Sequence, residues 1–373
     1  MTGHTMYFHV LVQWLTFLGV AFLVGGVVFR STVLNRSLRV LGSGSPDLER
    51  AQATGQRDLK RWMGRWLILL FIVSIVDLII RAEMMSRKPF SAVLPMLPLI
   101  ISQTHAGKVW IAKMAILCLL IALWFFIKKD RARPGQQVLW LLASAGLCLT
   151  VSLSGHAADK GDFSIAVAAD WLHMMAISSW VGGLVPLRFL LPKIWAPLDE
   201  KKRIPFQTAS IHRFSWLAAR CVGVLILTGV YAAWLHLRTV SNLVGTPYGI
   251  TLLFKLAFVV PMLALGALSR YYIRPALQTL AGEPVRVSFI GKTIHRVVCL
   301  LGGDTGSADH RMLELRYSSA RIAVVHFQVF VALQCLLAVA VLGLTALLTQ
   351  TSPPNLTNFA APDSSSDMQN KGM

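Results

Sequence analysis

Long runs of apolar residues, separated by short polar and basic stretches, dominate the chain. A run of about 20 apolar residues is long enough to cross a hydrocarbon core about 30 Å thick at 1.5 Å per residue. We predict eight membrane-spanning helices, at 7–29, 65–80, 108–127, 138–154, 165–190, 214–237, 250–272 and 322–348. The pattern therefore indicates an all-α membrane protein, a polytopic bundle of eight transmembrane helices.

A ninth apolar segment, at 89–102, is short and contains Pro89, Pro95 and Pro98. Proline removes a backbone donor and breaks a helix interior. We predict a re-entrant or interfacial piece here rather than another span.

The composition agrees with a membrane protein. Hydrophobic residues make up 55% of the 373 residues and charged residues only 14%, against about a quarter in soluble domains. The formal net charge of +19 lies in the connections between the apolar runs. Such clusters attract anionic lipid, and because no basic helix or aromatic stacking platform accompanies them, we predict no nucleic-acid binding.

The basic residues also predict an orientation. Connections that follow odd-numbered spans carry 26 Lys and Arg residues, and those that follow even-numbered spans carry 6. The positive-inside rule places the richer set in the cytoplasm. Both termini would then be extracytoplasmic, as in a multi-pass protein of the bacterial inner membrane, with 350–373 as a disordered periplasmic tail.

Parts of the pattern occur twice. A tryptophan followed by Gly-Gly, and a threonine followed by a lysine, recur in the same order and at the same internal spacing. The members are Trp14, Gly25, Gly26, Thr104 and Lys113, then Trp171, Gly182, Gly183, Thr246 and Lys255. We predict two parallel four-helix repeats related by an axis along the membrane normal. The first half covers 1–135 with its fourth span at about 138–154, and the second half covers 164–349.

The cysteines form no disulfide framework and no Cys-x-x-Cys pair. Four of them, Cys118, Cys148, Cys221 and Cys335, lie singly in apolar runs, and Cys299 lies in a loop. We interpret them as small buried hydrophobic residues.

The fifth predicted span holds the sharpest chemical cluster. An ionisable group within a membrane segment is expensive and marks a functional candidate. On a helix, Asp170 lies one turn from His173 and Met174, and His173 lies two turns from Trp180. Imidazole with soft sulfur suits copper, because a thioether favours Cu(I) and histidine accepts either oxidation state, with Asp170 as a ligand or as the acceptor that fixes the ring tautomer. The alternative is an Asp–His pair that only stabilises helix packing.

Other histidines fall at or near the extracytoplasmic ends of the predicted spans. They are His4, His9, His105, His156 and His236. Together with His173 they could converge on a metal ion, although one interfacial histidine is more often satisfied by its surroundings. Pairs of them, His156 with His236 or His105 with His173, could instead ligate a non-covalent haem b or flank a quinone in an electron-transfer protein.

Charged residues inside predicted spans need a further explanation. Lys113 and Lys255 occupy equivalent repeat positions and should reach similar depth. Each ammonium either extends to the membrane interface or pairs with Asp77, Asp170 or an anionic group across the bundle. The Gly-Gly pairs let a neighbouring helix approach closely, with tryptophans such as Trp180 packed over the gap.

Motifs for energy coupling are missing from the chain. It has no Walker motif, no phosphorylated-aspartate motif and no Cys-Pro-Cys, and the glycine-rich stretch 302–307 lacks the ending of a phosphate loop. We predict neither enzyme activity nor ATP hydrolysis by this chain.

The motifs resemble the copper resistance protein D (CopD) family of bacterial inner-membrane proteins. One is Asp170-x-x-His173-x-x-Ala176-x-x-x-Trp180-x-Gly182-Gly183-Leu184. The other runs from Arg213-Phe214-Ser215 through Thr228-Gly229 and Gly245-Thr246-Pro247-Tyr248-Gly249 to Lys255. Residues 164–348 resemble the family closely, whereas the first half is similar mainly at Trp14, Gly25-Gly26 and 104–113.

The resemblance implies an eight-span inner-membrane protein that moves copper ions, Cu(I) or Cu(II), from periplasm to cytoplasm beside a periplasmic copper-binding partner, CopC. No extracytoplasmic β domain precedes the first span, so we expect a CopC-like donor to be a separate protein. Thr16 stands where repeat symmetry with His173 would place a second histidine, which argues against two symmetric sites. A copper-binding partner of a periplasmic carrier that transports nothing is the remaining alternative, beside the electron-transfer protein.

Overall fold

Eight long helices form the bundle, and we number them α1 to α8. The computed structural model describes residues 3–42, 44–86, 90–126, 134–282, 293 and 320–351. The helices are Gly3–Phe29 (α1), Pro46–Ser86 (α2), His105–Phe126 (α3), Pro134–Leu153 (α4), Ile165–Phe189 (α5), Glu200–Leu237 (α6), Pro247–Leu268 (α7) and Ala320–Leu348 (α8). All eight are long and apolar enough to span a membrane, and the described ranges contain no β-strand. The predicted all-α architecture with eight transmembrane helices is confirmed.

Short helical turns extend or connect the long helices. They are Arg30–Leu34, Asn35–Ser37, Leu38–Leu41, Phe90–Val93, Leu94–Met96, Leu97–Gln103, His156–Lys160, Leu191–Trp195, Val240–Gly245, Ser269–Ile273 and Arg274–Leu280. Pro89, Cys299, the stretch 302–307 and the predicted tail from residue 352 onward lie outside the described residues.

α2 begins at Pro46, well before the predicted start at residue 65. The prediction was wrong because hydropathy detects only the part of a helix that lies in lipid. Ala51 and Gly55 are buried one turn apart, so the buried stripe continues beyond the membrane. Lys202 Nζ of α6 donates to Asp47 Oδ2 at 2.6 Å and holds this extension. For the same reason α6 begins at Glu200 rather than at residue 214.

The proline-containing segment does not span the membrane, in agreement with the prediction that it is not a ninth span. Its longest helix, Leu97–Gln103, has seven residues, which cover only about 10 Å. Val93 and Ile100 are buried against Ala82 of α2. The segment is therefore a short helical piece that packs on the side of α2.

α1 and α5 form the most extensive helix contact among the described elements. A Cβ atom on Gly25 would overlap the backbone of Gly182, and one on Gly182 would overlap the carbonyl oxygen of Ala21. A Cβ on Gly183 would lie 2.8 Å from the Phe214 ring of α6. The close approach predicted for the Gly-Gly pairs is confirmed, and the two pairs meet each other.

Gly26 and Trp180 lie beside this crossing but do not set its distance. A Cβ on Gly26 would contact Leu59 of α2 at 3.4 Å, an ordinary van der Waals distance. Trp180 is 4% exposed and belongs to the main apolar core. Both are packing residues.

The two matching tryptophans make matching contacts with the other half of the chain. Trp14 Nε1 of α1 donates to the carbonyl oxygen of Val339 in α8 at 3.0 Å. Trp171 Nε1 of α5 donates to the carbonyl oxygen of Ala145 in α4 at 2.9 Å. A parallel duplication would produce such an exchange of fourth helices, and the duplication itself stays a prediction.

The start of α1 and the end of α8 meet at one end of the bundle, which we call the terminal end. There the His9 Nδ1 and Gln350 Oε1 atoms lie 2.9 Å apart. The described chain thus begins and ends on the same side. The side of the membrane that this end faces stays a prediction.

The glycine crossing predicts a strong position dependence of glycine-to-alanine substitutions. Gly182→Ala should destabilise the protein by about 1–3 kcal/mol, because its methyl group must displace the α1 backbone. Gly223→Ala in α6 is the matched control, since nothing lies within 4 Å of a Cβ there, and it should leave stability equal or slightly higher. Thermal unfolding in detergent measures both, and equal midpoints for the two variants would contradict the crossing.

Candidate functional site

α5 places Asp170 and His173 in the part of the bundle near the terminal end. The helix begins after Ser164, whose Oγ accepts a hydrogen bond from the backbone N–H of Val167 at 3.2 Å. This cap fixes the helix start, and helical spacing then sets the two side chains one turn apart on one side of α5.

Thr228 of α6 holds the His173 ring in one tautomer. The His173 Nδ1 and Thr228 Oγ1 atoms lie 2.8 Å apart. The Thr228 hydroxyl donates its own proton to the carbonyl oxygen of Val224 at 2.7 Å, so its oxygen accepts from the ring. Nδ1 therefore carries the hydrogen, and Nε2 keeps a lone pair without a hydrogen bond to any described residue. A neutral ring anchored at one nitrogen is the form in which imidazole binds metals.

Asp170 has polar neighbours on α4 and α7. Ser152 of α4 lies beside the carboxylate without making a hydrogen bond of ordinary geometry. Lys255 of α7 is within electrostatic range of both Asp170 and His173, yet no described cation lies within 4.0 Å of the carboxylate. Both residues of the motif thus keep atoms that a ligand can use.

Sulfur atoms near this pair are buried. Met174 is 7% exposed and belongs to the main apolar core. Cys148 of α4 is fully buried and within electrostatic range of Asp170. Within the ranges that the structure describes, no group of three or more His, Cys, Asp or Glu residues is arranged to hold a metal ion. A role for Met174 as a ligand stays a prediction.

A second polar cluster lines a cavity of about 260 Å³ that reaches the terminal end. We call it the terminal cavity. Its polar lining comes from α1, α2, α3, the turn after α4 and the end of α8, and includes His9, Gln13, Asp77, Arg81, Lys113 and Gln350. Met84 of α2 also lines it.

Asp77 is the centre of this cluster and is 5% exposed. Arg81 Nε donates to both carboxylate oxygens at 3.1 Å, and Gln13 Nε2 donates to Oδ1 at 3.0 Å. Lys113 Nζ lies 3.9 Å from Oδ2. Lys113 is 5% exposed, so its ammonium lies inside the bundle near Asp77 and does not extend to the interface.

Both ring nitrogens of His9 already face protein groups. The Gln350 amide nitrogen donates to Thr349 Oγ1 at 3.1 Å, which directs its oxygen toward the ring and makes His9 Nδ1 the donor. His9 Nε2 accepts from Gln13 Nε2 at 3.4 Å and lies 3.6 Å from Asp77 Oδ1. His9 therefore offers less to a metal ion than His173 does.

The remaining outer histidines do not gather at one point in the described part of the chain. His105 Nε2 lies 2.9 Å from Asp162 Oδ1, and both side chains are about half exposed. The His236 ring packs at a tilt on Tyr248, with centroids 5.8 Å apart. The convergence predicted for these histidines is therefore not seen, because helices at the same depth present them to different neighbours.

Two predicted ligands, His4 and His156, have side chains outside the described residues. Haem gains no support from the pair formed by His105 and His173, whose ring nitrogens face different partners, Asp162 and Thr228.

Sequence reasoning missed Arg81, Gln13 and the role of Thr228. Thr228 was noted only within the family motif, because threonine is common in membrane helices and bonds to its own backbone. Gln13 could have been found, since it precedes Trp14 as Asp170 precedes Trp171. An amide thus stands in the first half where the second half has a carboxylate.

Two family models match the chain. One, described as Copper resistance protein D, matches residues 208–303, and the other, described as Copper resistance protein D-like, N-terminal domain, matches residues 4–164. The matched ranges take in the first half and part of the second, whereas α5 and α8 lie outside them. No solved structure matches the chain.

Two relatives carry copper-related names. Copper transport protein CutJ of Bacillus subtilis (strain 168) is 34% identical over 168 residues, which are 44% of this chain and 30% of that protein. Copper resistance protein D of Pseudomonas syringae pv. tomato is 25% identical over 288 residues, 76% of this chain and 80% of the relative. The chain thus matches less than a third of CutJ but most of the Pseudomonas protein.

The buried Asp77 cluster predicts a large cost for losing its carboxylate. Asp77→Ala leaves Arg81 and Lys113 without their acidic partner and should destabilise the protein by about 3–5 kcal/mol. Asp162→Ala removes the half-exposed partner of His105 and should cost at most about 1 kcal/mol. Unfolding midpoints in detergent compare the two, and a similar small loss for both would show that Asp77 is not held as described.

Proposed function

The chain belongs to the copper resistance protein D family, and we propose that it carries copper ions across the bacterial inner membrane from periplasm to cytoplasm. The metal would bind at His173 Nε2 and the Asp170 carboxylate on α5. Copper is the cargo in this proposal and not a resident cofactor.

One observation carries the site assignment: His173 Nε2 is left unbonded while Nδ1–H is fixed on Thr228. A metal-binding imidazole normally donates its second nitrogen to a neighbouring acceptor, which fixes the tautomer and aims the lone pair. Imidazole accepts both Cu(I) and Cu(II). The arrangement supports a ring prepared for copper better than a ring used only for packing, which would have no reason to leave one nitrogen without a partner.

Asp170 supplies the negative charge in this proposal. Its carboxylate lacks a cation within 4.0 Å among the described residues, so an arriving metal ion need not break an existing ion pair. With one carboxylate and one unbonded imidazole nitrogen, the site would hold one copper ion at a time, with Met174 as a proposed third ligand.

The charge distribution of the connections supports an orientation with the terminal end outside the cytoplasm. In that orientation α5 would present its site in the outer half of the membrane, where copper from the periplasm arrives first. Without ATP motifs in the chain, the copper gradient and cytoplasmic chelators would drive the movement. His173 then receives the metal before it enters the inner half.

A separate periplasmic copper-binding protein of the CopC type is the proposed donor, in keeping with the family resemblance. His105 and Asp162 form a half-exposed pair at the terminal end, where a docked donor can reach them. His4 near the start of α1, His156 after α4 and His236 at the end of α6 belong to helix ends on the same side of the bundle. Through these residues copper would pass from the donor to α5.

The decisive experiment is copper uptake into sealed proteoliposomes that contain this protein alone and a copper-sensitive dye inside. We expect His173→Ala to reduce the uptake rate at least about tenfold, because the ligand with the free lone pair is lost. His326→Ala, at the other end of α8 from Gln350, is the histidine control and should retain uptake.

The outcomes separate the alternatives. Uptake by His173→Ala at the wild-type rate would refute the site. Stoichiometric copper binding without uptake by the wild-type protein would identify a binding partner of a periplasmic carrier. A Soret absorbance band in the purified protein would favour the electron-transfer alternative.

Thr228 provides an independent test of the tautomer argument. Thr228→Val removes the acceptor of Nδ1–H while keeping the side-chain shape, and should weaken copper binding by about 10–100-fold. Thr228→Ser keeps the hydroxyl and should bind copper nearly as the wild type does. Equilibrium competition with a chromophoric copper chelator measures both, and equal affinities for the two variants would contradict the anchoring role.

A further inference from the structure

The buried base of the terminal cavity holds two cations and one carboxylate. Its charged and titratable lining consists of His9 from α1, Asp77 and Arg81 from α2, Lys113 from α3, and Asp159 from the turn after α4. Asp159 is exposed at the rim. At the buried base, two cations therefore share the single carboxylate of Asp77.

The hydrogen bonds to the Asp77 carboxylate come from groups other than Lys113. Arg81 Nε bridges both carboxylate oxygens at 3.1 Å, and Gln13 occupies Oδ1 at 3.0 Å. The Lys113 ammonium stays at 3.9 Å from Oδ2, beyond hydrogen-bond distance. The carboxylate therefore leaves most of the Lys113 charge uncompensated.

The Lys113 ammonium has donors that no described residue uses. Its side chain is 7% exposed, lines the cavity and makes no hydrogen bond within the described part of the chain. A buried ammonium carries three N–H donors and is costly without acceptors. The cavity beside it is large enough for a small ion and several water molecules.

A metal cation would meet repulsion here from Arg81 and Lys113, whereas an anion would accept the unused hydrogen bonds and balance the surplus charge. We propose that the terminal cavity binds one small monovalent anion, such as chloride or formate, against Lys113 Nζ with Arg81 beside it. The proposal concerns α1 to α3 and does not depend on copper binding at His173.

The test uses the full chain in nanodiscs, in gluconate buffer of constant ionic strength. The ³⁵Cl NMR line width reports chloride exchanging with a protein site. We expect excess broadening with the wild-type protein, removed by added bromide or formate. Lys113→Met should raise the apparent dissociation constant at least about tenfold, whereas Lys255→Met, which removes the equivalent lysine of the second half, should leave chloride binding unchanged.

Charge variants at Met84, a partly exposed residue of the cavity wall, decide the matter even where Lys113→Met does not fold. Met84→Glu should weaken chloride binding and Met84→Lys should strengthen it, with Met84→Gln close to the wild type. A cation site would show the opposite order. No excess broadening with the wild type, equal binding by folded Lys113→Met, or the reversed order at Met84 would each overturn the proposal, whatever the result of the copper experiments.

Discussion

The backbone contact between Gly25 and Gly182 is the constraint on which the arrangement of the bundle depends. Without side chains between them, α1 and α5 approach until the carbonyl oxygen of Ala21 fills the place of a Cβ on Gly182. Helix association in lipid relies on such close packing, because hydrophobic burial no longer drives it. α1 and α5 then form a central pair, to which α2 and α6 add on their own sides. The polar faces of both central helices take their positions from this contact.

Each central helix builds a polar cluster with the helices that follow it. α1 contributes His9 and Gln13 to Asp77 of α2 and Lys113 of α3, and α5 contributes Asp170 and His173 to Thr228 of α6, with the α7 lysine nearby. The clusters differ in the helix that carries the carboxylate. Asp77 lies on α2, the second helix of the first half, and Asp170 lies on α5, the first helix of the second half. That difference decides which groups are paired. Arg81 and the glutamine amide bind the first carboxylate, while no described residue binds the second.

Local properties of the sequence predicted the fold well. Each span is a window of apolar residues, so this expectation needed no knowledge of neighbouring helices. The sequence left open whether Lys113 extends to the interface or pairs inside the bundle, because that choice depends on the helices around it. The hydropathy pattern did not predict the parts of α2 and α6 that extend beyond the lipid, because an amphipathic stretch has low mean hydropathy. The histidines whose side chains the structure describes do not gather, and the role of Thr228 was missed, because the rotation of each helix about its axis decides which residue faces which neighbour. That rotation follows from packing contacts such as Gly183 against Phe214, which depend on residues far apart in the chain.

The contrast between the clusters bears on which half can move a cation. In a low-dielectric interior, a carboxylate already bound by a guanidinium cannot accept a metal ion without exposing that cation, at a cost of several kcal/mol. Asp77 is in this position. Asp170 is not, and its neighbour His173 keeps an unbonded nitrogen whose direction is set by Thr228. The proposed copper path through the second half would therefore break no existing ion pair. In the first half, the base of the terminal cavity holds two cations against one carboxylate, which suits the proposed anion better than a metal ion, and α1 supports α5 through the glycine contact.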